Sequence, residues 1–131
     1  MKPILRMLLV VVGLTLALFS ASYAADALQD QYLSTQQDIN NRITAACMKI
    51  QRLDENMRQF AEKGFTSDRY YKKMEADRKE LSKDVQEAWK EKDKLKLDML
   101  KHYNGKLPSR LQKKWNENDV DFTTTGVICH E

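Results

Sequence analysis

The sequence predicts an all-α protein: a long antiparallel helical hairpin, coiled-coil-like, with a short third helix and an extended C-terminal tail. Two long segments each carry an apolar stripe at alternating spacings of three and four residues, as in helices that pack side by side. Two cysteines, Cys47 and Cys129, are placed to tie the last segment back to the first. Beyond residue 24, glycine and proline are rare and divide the chain into segments: Gly64, Gly105, Pro108 and Gly126.

The first 24 residues form a predicted secretory signal peptide. Lys2 and Arg6 precede an apolar run over residues 7–19, and Ser22-Tyr23-Ala24 places small residues where a signal peptidase cuts. The apolar run is shorter than a membrane-spanning helix requires. We therefore expect a mature chain that starts at Ala25, is periplasmic or secreted, and has no stable membrane insertion after cleavage. Retention of the segment as an anchor is the alternative.

The charge pattern excludes one class of partner. The 131-residue chain has a formal net charge of +3, and Lys2 and Arg6 leave with the signal, so the mature chain is close to neutral. Basic and acidic residues alternate, as in KKMEADRKELSKD at residues 72–84, whereas nucleic-acid-binding proteins concentrate positive charge on one face. We expect no nucleic-acid partner, and the length predicts one small domain.

The first helix of the hairpin is predicted from about residue 26 to residue 63. In the same register the polar Gln29 and Gln36 interrupt the stripe, so we expect the packing to loosen toward the mature N-terminus. The apolar stripe itself comprises Ile39, Ile43, Ala46, Ile50, Leu53, Met57 and Phe60.

A tight turn is predicted after this helix. Gly64 is placed to end it in a left-handed conformation, with Phe60 and Phe65 as the apolar pair of a Schellman motif. Thr66-Ser67 then supplies an N-cap, and Asp68 suits the positive end of the next helix. A stop and a start this close together predict antiparallel helices.

The second helix is predicted from about residue 68 to residue 103. Arg78 and Lys92 interrupt its apolar series; we expect both to bury their stems and extend their charges to water. The alternative is that they fix register or partner choice. Asn104-Gly105 closes the helix, before Pro108. The stripe comprises Tyr71, Met74, Arg78, Leu81, Val85, Ala88, Lys92, Leu95, Met99 and His102.

The last segment, residues 106–131, completes a division into a signal peptide (1–24), the hairpin (25–105) and a C-terminal short helix with a tail. Ser109 and Gln112 have capping-box spacing ahead of Leu111 and Trp115, which predicts a short third helix. From Val120 onward β-branched and aromatic residues dominate without a second strand to pair with, so an extended tail is expected.

The two cysteines predict a disulfide. An even number in an exported protein favours a bond, here between Cys47 and Cys129, which closes a loop of about 82 residues worth about 4 kcal/mol. Free thiols, a redox pair and part of a metal site are the alternatives. A redox pair more often shows a close Cys-x-x-Cys, and a metal site needs more ligands.

No catalytic residue, metal site or cofactor is predicted, and we expect the protein not to be an enzyme. His102 falls at a stripe position in the last turn of the second helix, which suits a capping or core role. His130 beside Cys129 is weak support for a metal site or reactive thiol. Nearly all acidic residues have a Lys or Arg three or four residues away, as in surface ion pairs.

A protein-binding surface is predicted at Trp89, Leu100 and Tyr103, which lie off the stripe near the open end of the hairpin. Tyr70 and Leu97 are further apolar residues outside the stripe. The alternative is that the C-terminal tail covers this surface.

These features predict an exported, non-enzymatic interaction protein, such as an adaptor or accessory subunit of a cell-envelope secretion or conjugation system. A periplasmic inhibitor or immunity protein is one alternative, and a holdase-type stress chaperone is another. A homodimer is compatible with each, because a slim hairpin can pair into a four-helix bundle.

One short string bears on the chaperone alternative. Leu33-Ser34-Thr35-Gln36-Gln37 is loosely similar to the Leu-Thr-x-x-Gln element of the small periplasmic helical chaperones of the Spy and CpxP type. The similarity covers five residues, has Ser34 where that family has Thr, and lacks a clear second copy. Ser34 with Gln37 also fits a capping box or an exposed helix face.

Overall fold

The structure is a computed structural model that describes the backbone of residues 2–130 and the side chains of residues 23–130. In these residues it has three helices, α1 (Lys2–Glu62), α2 (Arg69–His102) and α3 (Ser109–Thr125), followed by a tail of residues 126–130. The predicted all-α class, with two long helices packed against each other and a third helix, is confirmed. Most of the predicted signal peptide, residues 1–24, lies outside the residues whose side chains are described, so the signal peptide stays a prediction.

The chain divides into two compact units, residues 1–32 and 33–131. The first unit is the N-terminal part of α1, which begins at Lys2 and not near residue 26 as expected. The second unit contains the rest of α1, together with α2, α3 and the tail. All the packing and surfaces described below belong to this second unit.

The turn after α1 begins as predicted. Gly64 has a φ of 77°, and the backbone N–H groups of Gly64 and Phe65 donate to the carbonyls of Ala61 and Phe60 at 3.0 and 2.9 Å. These two bonds form a Schellman motif. The rings of Phe60 and Phe65 pack edge to face with their centroids 6.4 Å apart, which completes the predicted apolar contact.

The first cap of α2 differs from the prediction. Asp68, and neither Thr66 nor Ser67, is the N-cap, and its Oδ1 accepts a hydrogen bond from the backbone N–H of Tyr70 at 2.7 Å. Its extended backbone, with a ψ of 145°, turns the carboxylate back over the first turn of the helix. The carboxylate therefore both caps the helix and faces the positive end of the helix dipole.

The end of α2 is the predicted one. Asn104 and Gly105 have φ angles of 54° and 83°, in the left-handed region. The N–H of Gly105 donates to the carbonyl of Leu100 at 2.7 Å, and that of Asn104 donates to Lys101 at 3.2 Å. These bonds satisfy carbonyls in the last turn of the helix.

The predicted start of α3 is correct in place but wrong in mechanism. Its N-cap is Pro108, without a side-chain hydrogen bond, so Ser109 and Gln112 do not form a capping box. The N–H of Gln112 donates to the carbonyl of Pro108 at 2.9 Å as the first helical bond. Ser34 and Gln37, the other capping-box spacing, lie exposed within α1 and cap no helix.

α3 continues through residues 120–125, where an extended tail was expected; the tail begins at Gly126. Phe122 is only 6% exposed and packs into the core, and this burial outweighs the strand preference of the threonines around it. The hydroxyls of Thr124 and Thr125 donate to carbonyls in the preceding turn of α3. The helical form therefore satisfies both the core and these polar groups.

The core lies where the hairpin meets α3. Farther along α1, the stripe residues Leu53, Met57 and Phe60 are only half-buried, because there α1 and α2 alone supply the packing. The hairpin thus has a three-helix part with a closed core and a two-helix part with an open seam. The buried core cluster comprises Ile39, Ile43, Cys47, Ile50, Val85, Ala88 and Phe122.

The snorkelling prediction is wrong for Lys92, whose charge is largely buried in an ion pair, whereas Arg78 carries its charge to the exposed carboxylate of Asp54. Arg78 Nε lies 2.5 Å from Oδ1 of Asp54 in α1. Lys92 Nζ lies 2.9 Å from Oδ1 of Asp119 in α3, and the Lys92 side chain is only 12% exposed. The same ammonium lies 4.5 Å from the centre of the Phe122 ring. The two charges thus join α2 to α1 and α3.

Gln36 forms a polar junction between α1 and α3, so the loosening expected at this residue is wrong. Gln36 is fully buried, and its Nε2 donates to the carbonyl of Trp115 and to Oδ1 of Asp119, both at 3.0 Å. Its Oε1 accepts from Nδ2 of Asn118 at 2.9 Å. Asp119 therefore accepts hydrogen bonds from α1 and, through Lys92, from α2. The buried amide is stable here because α3 satisfies it.

Candidate interaction surfaces

The C-terminal tail is fixed to the middle of α1. Cys47 and Cys129 form the predicted disulfide, with their Cα atoms 5.6 Å apart. Cys47 is fully buried, and Val127 and Ile128 pack with Cys129 against the core. The tail is therefore part of the packed structure. A disulfide is compatible with the predicted periplasmic or secreted location, because such bonds persist in oxidising compartments.

The tail covers Trp89, the first of the three predicted partner-binding residues. The indole Nε1 donates to the carbonyl of Cys129 at 3.1 Å. The indole ring stacks on His130, with centroids 5.1 Å apart, and lies 5.7 Å from the ring of Phe122. These contacts favour the interpretation in which the tail shields this part of α2.

Replacing Trp89 tests this assignment. We expect Trp89→Ala to lower the free energy of unfolding by about 2–3 kcal/mol, because it removes the contact area and the hydrogen bond to the tail. Tyr70→Ala, at an aromatic residue that is 70% exposed, should change it by less than about 0.5 kcal/mol. Urea titration followed by circular dichroism measures both. Unchanged stability in Trp89→Ala would contradict the role in holding the tail and would favour the predicted role of this residue in partner binding.

Leu97 gives the end of α2 an open apolar face. Its side chain is 61% exposed. Leu100 and Tyr103, the two other predicted partner-binding residues, are half-buried and follow at three-residue spacings, so Leu100 lies next to Leu97, and the C-cap residue Tyr103 lies next to Leu100 on a line that winds around the helix. Met99, between them in sequence, is fully buried and fixes the other side of this turn in the core. We refer to Leu97, Leu100 and Tyr103 as the leucine row.

A second surface, which the sequence reasoning missed, is a groove between α1 and α2. Two adjoining cavities of about 420 and 430 Å³ share Lys49, Leu81 and Asp84 and form one continuous groove, which we name the charged groove. Neither α3 nor the tail contributes to its lining. The basic wall on α1 comprises Arg42, Lys49 and Arg52; the acidic wall on α2 comprises Asp77, Glu80, Asp84 and Glu87; the floor comprises Ala45, Ala46, Leu53, Leu81 and Ala88.

One ion pair within the described residues closes an end of the charged groove. Arg42 Nη1 lies 2.7 Å from Oε2 of Glu91, which continues the acidic wall. The hydrogen bond from Arg42 lowers the pKa of Glu91, and the same bond raises the pKa of Arg42. The charges of Asp84 and Glu87 raise the pKa of Arg42 further. The guanidinium of Arg42 therefore lies in the negative potential of α2.

The acidic wall has a sequence signal that was overlooked. Asp77, Glu80, Asp84, Glu87 and Glu91 follow one another at spacings of three and four residues, which places them on one face of α2. The bases three or four residues from most of these acids obscure this series in the sequence. In the described part of the chain, the first four acids of this series form no ion pair within 4.0 Å.

Within α1, the expected pairing along the helix does form. Arg58 pairs with Glu62 and, at 2.7 Å, with Glu55. Hydrogen bonds from Arg58 and then Gln59 lower the pKa of Glu55 to about 2. These exposed pairs organise the α1 surface near the turn and contribute little stability.

The histidines form no metal cluster, and the described helices include no membrane span. His102 is exposed, contrary to a core role, and its ring packs against Tyr103 with centroids 4.8 Å apart. Among the described residues, no group of three His, Cys, Asp or Glu side chains could hold a metal ion. None of the helices searched there is both long and apolar enough to cross a membrane.

The chain matches no protein family, no curated protein and no solved structure with which it was compared.

Proposed function

We propose that the protein is a non-enzymatic, exported interaction protein that serves as an adaptor or accessory subunit of a cell-envelope assembly, such as a secretion or conjugation system. The observation that carries this proposal is the leucine row. A leucine that is 61% exposed, with the half-buried Leu100 next to it on the helix, is a suitable anchor for a partner's pocket. The Cys47–Cys129 disulfide supports the exported location.

The surroundings of the leucine row favour binding by a preformed surface. Met99 is buried on the same helical turn, and the hydrogen bond from Gly105 to the carbonyl of Leu100 closes the helix just after it. Side chains held on a rigid helix lose less conformational entropy on binding than side chains on a loop. A partner can therefore use this row without first ordering it.

The test compares two exposed apolar residues. The protein, purified with its disulfide intact, is immobilised and exposed to an envelope extract, and bound proteins are measured by quantitative mass spectrometry. We expect Leu97→Ser to reduce capture of a specific partner about tenfold, because it removes an interface anchor. Val120→Ser, at a residue on α3 that is 58% exposed, should leave capture unchanged. Both variants should keep the melting temperature of the unmodified protein.

The identity of the captured protein separates the proposal from its alternatives. A component of an envelope complex, lost with Leu97→Ser, supports the adaptor. A single hydrolase or toxin captured in equal proportion supports an inhibitor or immunity protein. A broad set of unfolded proteins, with suppression of the aggregation of a model client, supports a holdase. Equal capture by the Leu97→Ser and Val120→Ser variants would refute the leucine row as the binding surface.

A further inference from the structure

The charged groove shows which residues of α1 and α2 lie at the same height along the hairpin. At one end, Arg42 contacts Glu91 at 2.7 Å. Farther along, Lys49 and Asp84 line the same cavities, and Arg52 lines one of them together with Glu80. At each level a basic side chain on α1 thus stands across the groove from an acidic side chain on α2.

This pattern makes the groove complementary to itself. When two copies meet groove to groove about a two-fold axis parallel to the helices, α1 of each copy faces α2 of the other at the same height. Lys49 then meets Asp84 of the second copy, and Arg52 meets Glu80. A two-fold axis perpendicular to the helices places basic wall on basic wall and acidic wall on acidic wall, which is repulsive. Charge therefore selects one arrangement.

We propose that the charged groove is a homodimer interface, occupied by the same groove of a second copy with the two hairpins side by side and pointing in the same direction. In this dimer, the two α1 and two α2 helices form a four-helix arrangement around the two facing grooves. This proposal goes beyond the proposed function, because it concerns a different face of the hairpin and a different partner.

Two further observations favour a second copy. The alanines of the groove floor, Ala45 and Ala46, leave room for the side chains of an approaching helix, and Leu53 and Leu81 are half-buried and lose their remaining exposure in a dimer. The acids facing Lys49 and Arg52 form no ion pair within 4.0 Å in the described part of the chain, so they can accept partners from a second copy. Both observations concern the groove itself.

The first measurement is mass in solution. The purified protein, with its disulfide intact, is examined by sedimentation equilibrium over a range of concentrations and at low and high salt. We expect a monomer–dimer equilibrium whose dissociation constant rises about tenfold between low and high salt, because the interface contains opposite charges near solvent. A monomer at every concentration and salt overturns the proposal.

The second measurement uses charge reversal. Lys49→Glu/Arg52→Glu gives acids at both facing positions of the two walls, and Glu80→Lys/Asp84→Lys gives bases at both of these facing positions. Each variant alone should dimerise about a hundredfold more weakly, because two reversed pairs occur twice in the symmetric interface. Lys113→Glu/Lys114→Glu, on exposed positions of α3, makes the same change in charge as Lys49→Glu/Arg52→Glu but away from the groove, and should leave the dimer intact.

The third measurement mixes the two reversed variants. In the mixture, the glutamates introduced on α1 of one variant face the lysines introduced on α2 of the other, so a heterodimer should form and be detected by native mass spectrometry. An unfolded variant could not recover in this way, and circular dichroism checks each variant for helix content. A dimer that survives both reversals places the interface elsewhere and overturns the proposal. Failure of the folded variants to form a heterodimer also overturns it.

Discussion

Reduction of the Cys47–Cys129 disulfide is expected to lower the free energy of unfolding by about 4 kcal/mol. The bond joins residues 82 positions apart, so it removes a large amount of conformational freedom from the unfolded chain. In the folded state it also holds the carbonyl of Cys129 against the indole of Trp89. Breaking the bond therefore lowers the free energy of unfolding in two ways: it frees the tail in the folded state, and it stabilises the unfolded ensemble.

Urea unfolding with and without a dithiol reductant measures this effect. Cys47→Ala/Cys129→Ala should resemble the reduced protein and should not respond to the reductant. The double variant thus separates loss of the bond from other effects of the reductant. Identical unfolding midpoints for oxidised and reduced protein would show that packing of the tail, and not the covalent link, holds it in place.

The second large effect is expected at Asp119. Asp119→Ala should cost about 2–3 kcal/mol, because it leaves the ammonium of Lys92 without its partner in a side chain that is 12% exposed, and it removes an acceptor from buried Gln36. The cost is below that of a fully buried pair because the Asp119 side chain is 37% exposed. Chemical unfolding monitored by circular dichroism gives the value.

Two further variants make this test specific. Asp121→Ala removes an exposed carboxylate two positions along α3 and should change stability by less than about 0.5 kcal/mol. Lys92→Met combined with Asp119→Ala should be more stable than Asp119→Ala alone, because no unpaired charge remains. The single variants Lys92→Met and Asp119→Ala complete the comparison. If their effects on the free energy of unfolding add up to the effect of the double variant, the contact between Asp119 and Lys92 contributes nothing to the joining of α2 and α3.

Features that depend on neighbours in sequence were predictable. The stop at Gly64, with its contact between Phe60 and Phe65, is decided within a few residues by backbone conformation and local packing. The end of α2 at Asn104-Gly105 has the same local origin. The pairing of Cys47 with Cys129 was predictable for a different reason, since the chain offers no third cysteine.

Features that depend on residues distant in sequence were not predictable. Gln36 was interpreted as a loose point because its hydrogen-bond partners are about eighty residues away in α3. Residues 120–125 were predicted as extended because their composition favours strands, and only the burial of Phe122 against the hairpin makes them helical. Tryptophan is a residue type that is common at binding surfaces, but Trp89 is covered by the tail through a contact with Cys129, 40 residues farther along the chain.

The order in which the two cysteines are synthesised has a consequence for oxidation. Cys129 follows Cys47 by 82 residues, so all of α2 and α3 is made before the second thiol exists. At roughly 5–20 residues per second, Cys129 is made at least several seconds after Cys47. Because the sequence contains only these two cysteines, no wrong pairing within the chain can compete during that interval. Only a thiol or disulfide of another molecule can capture Cys47 before its partner arrives.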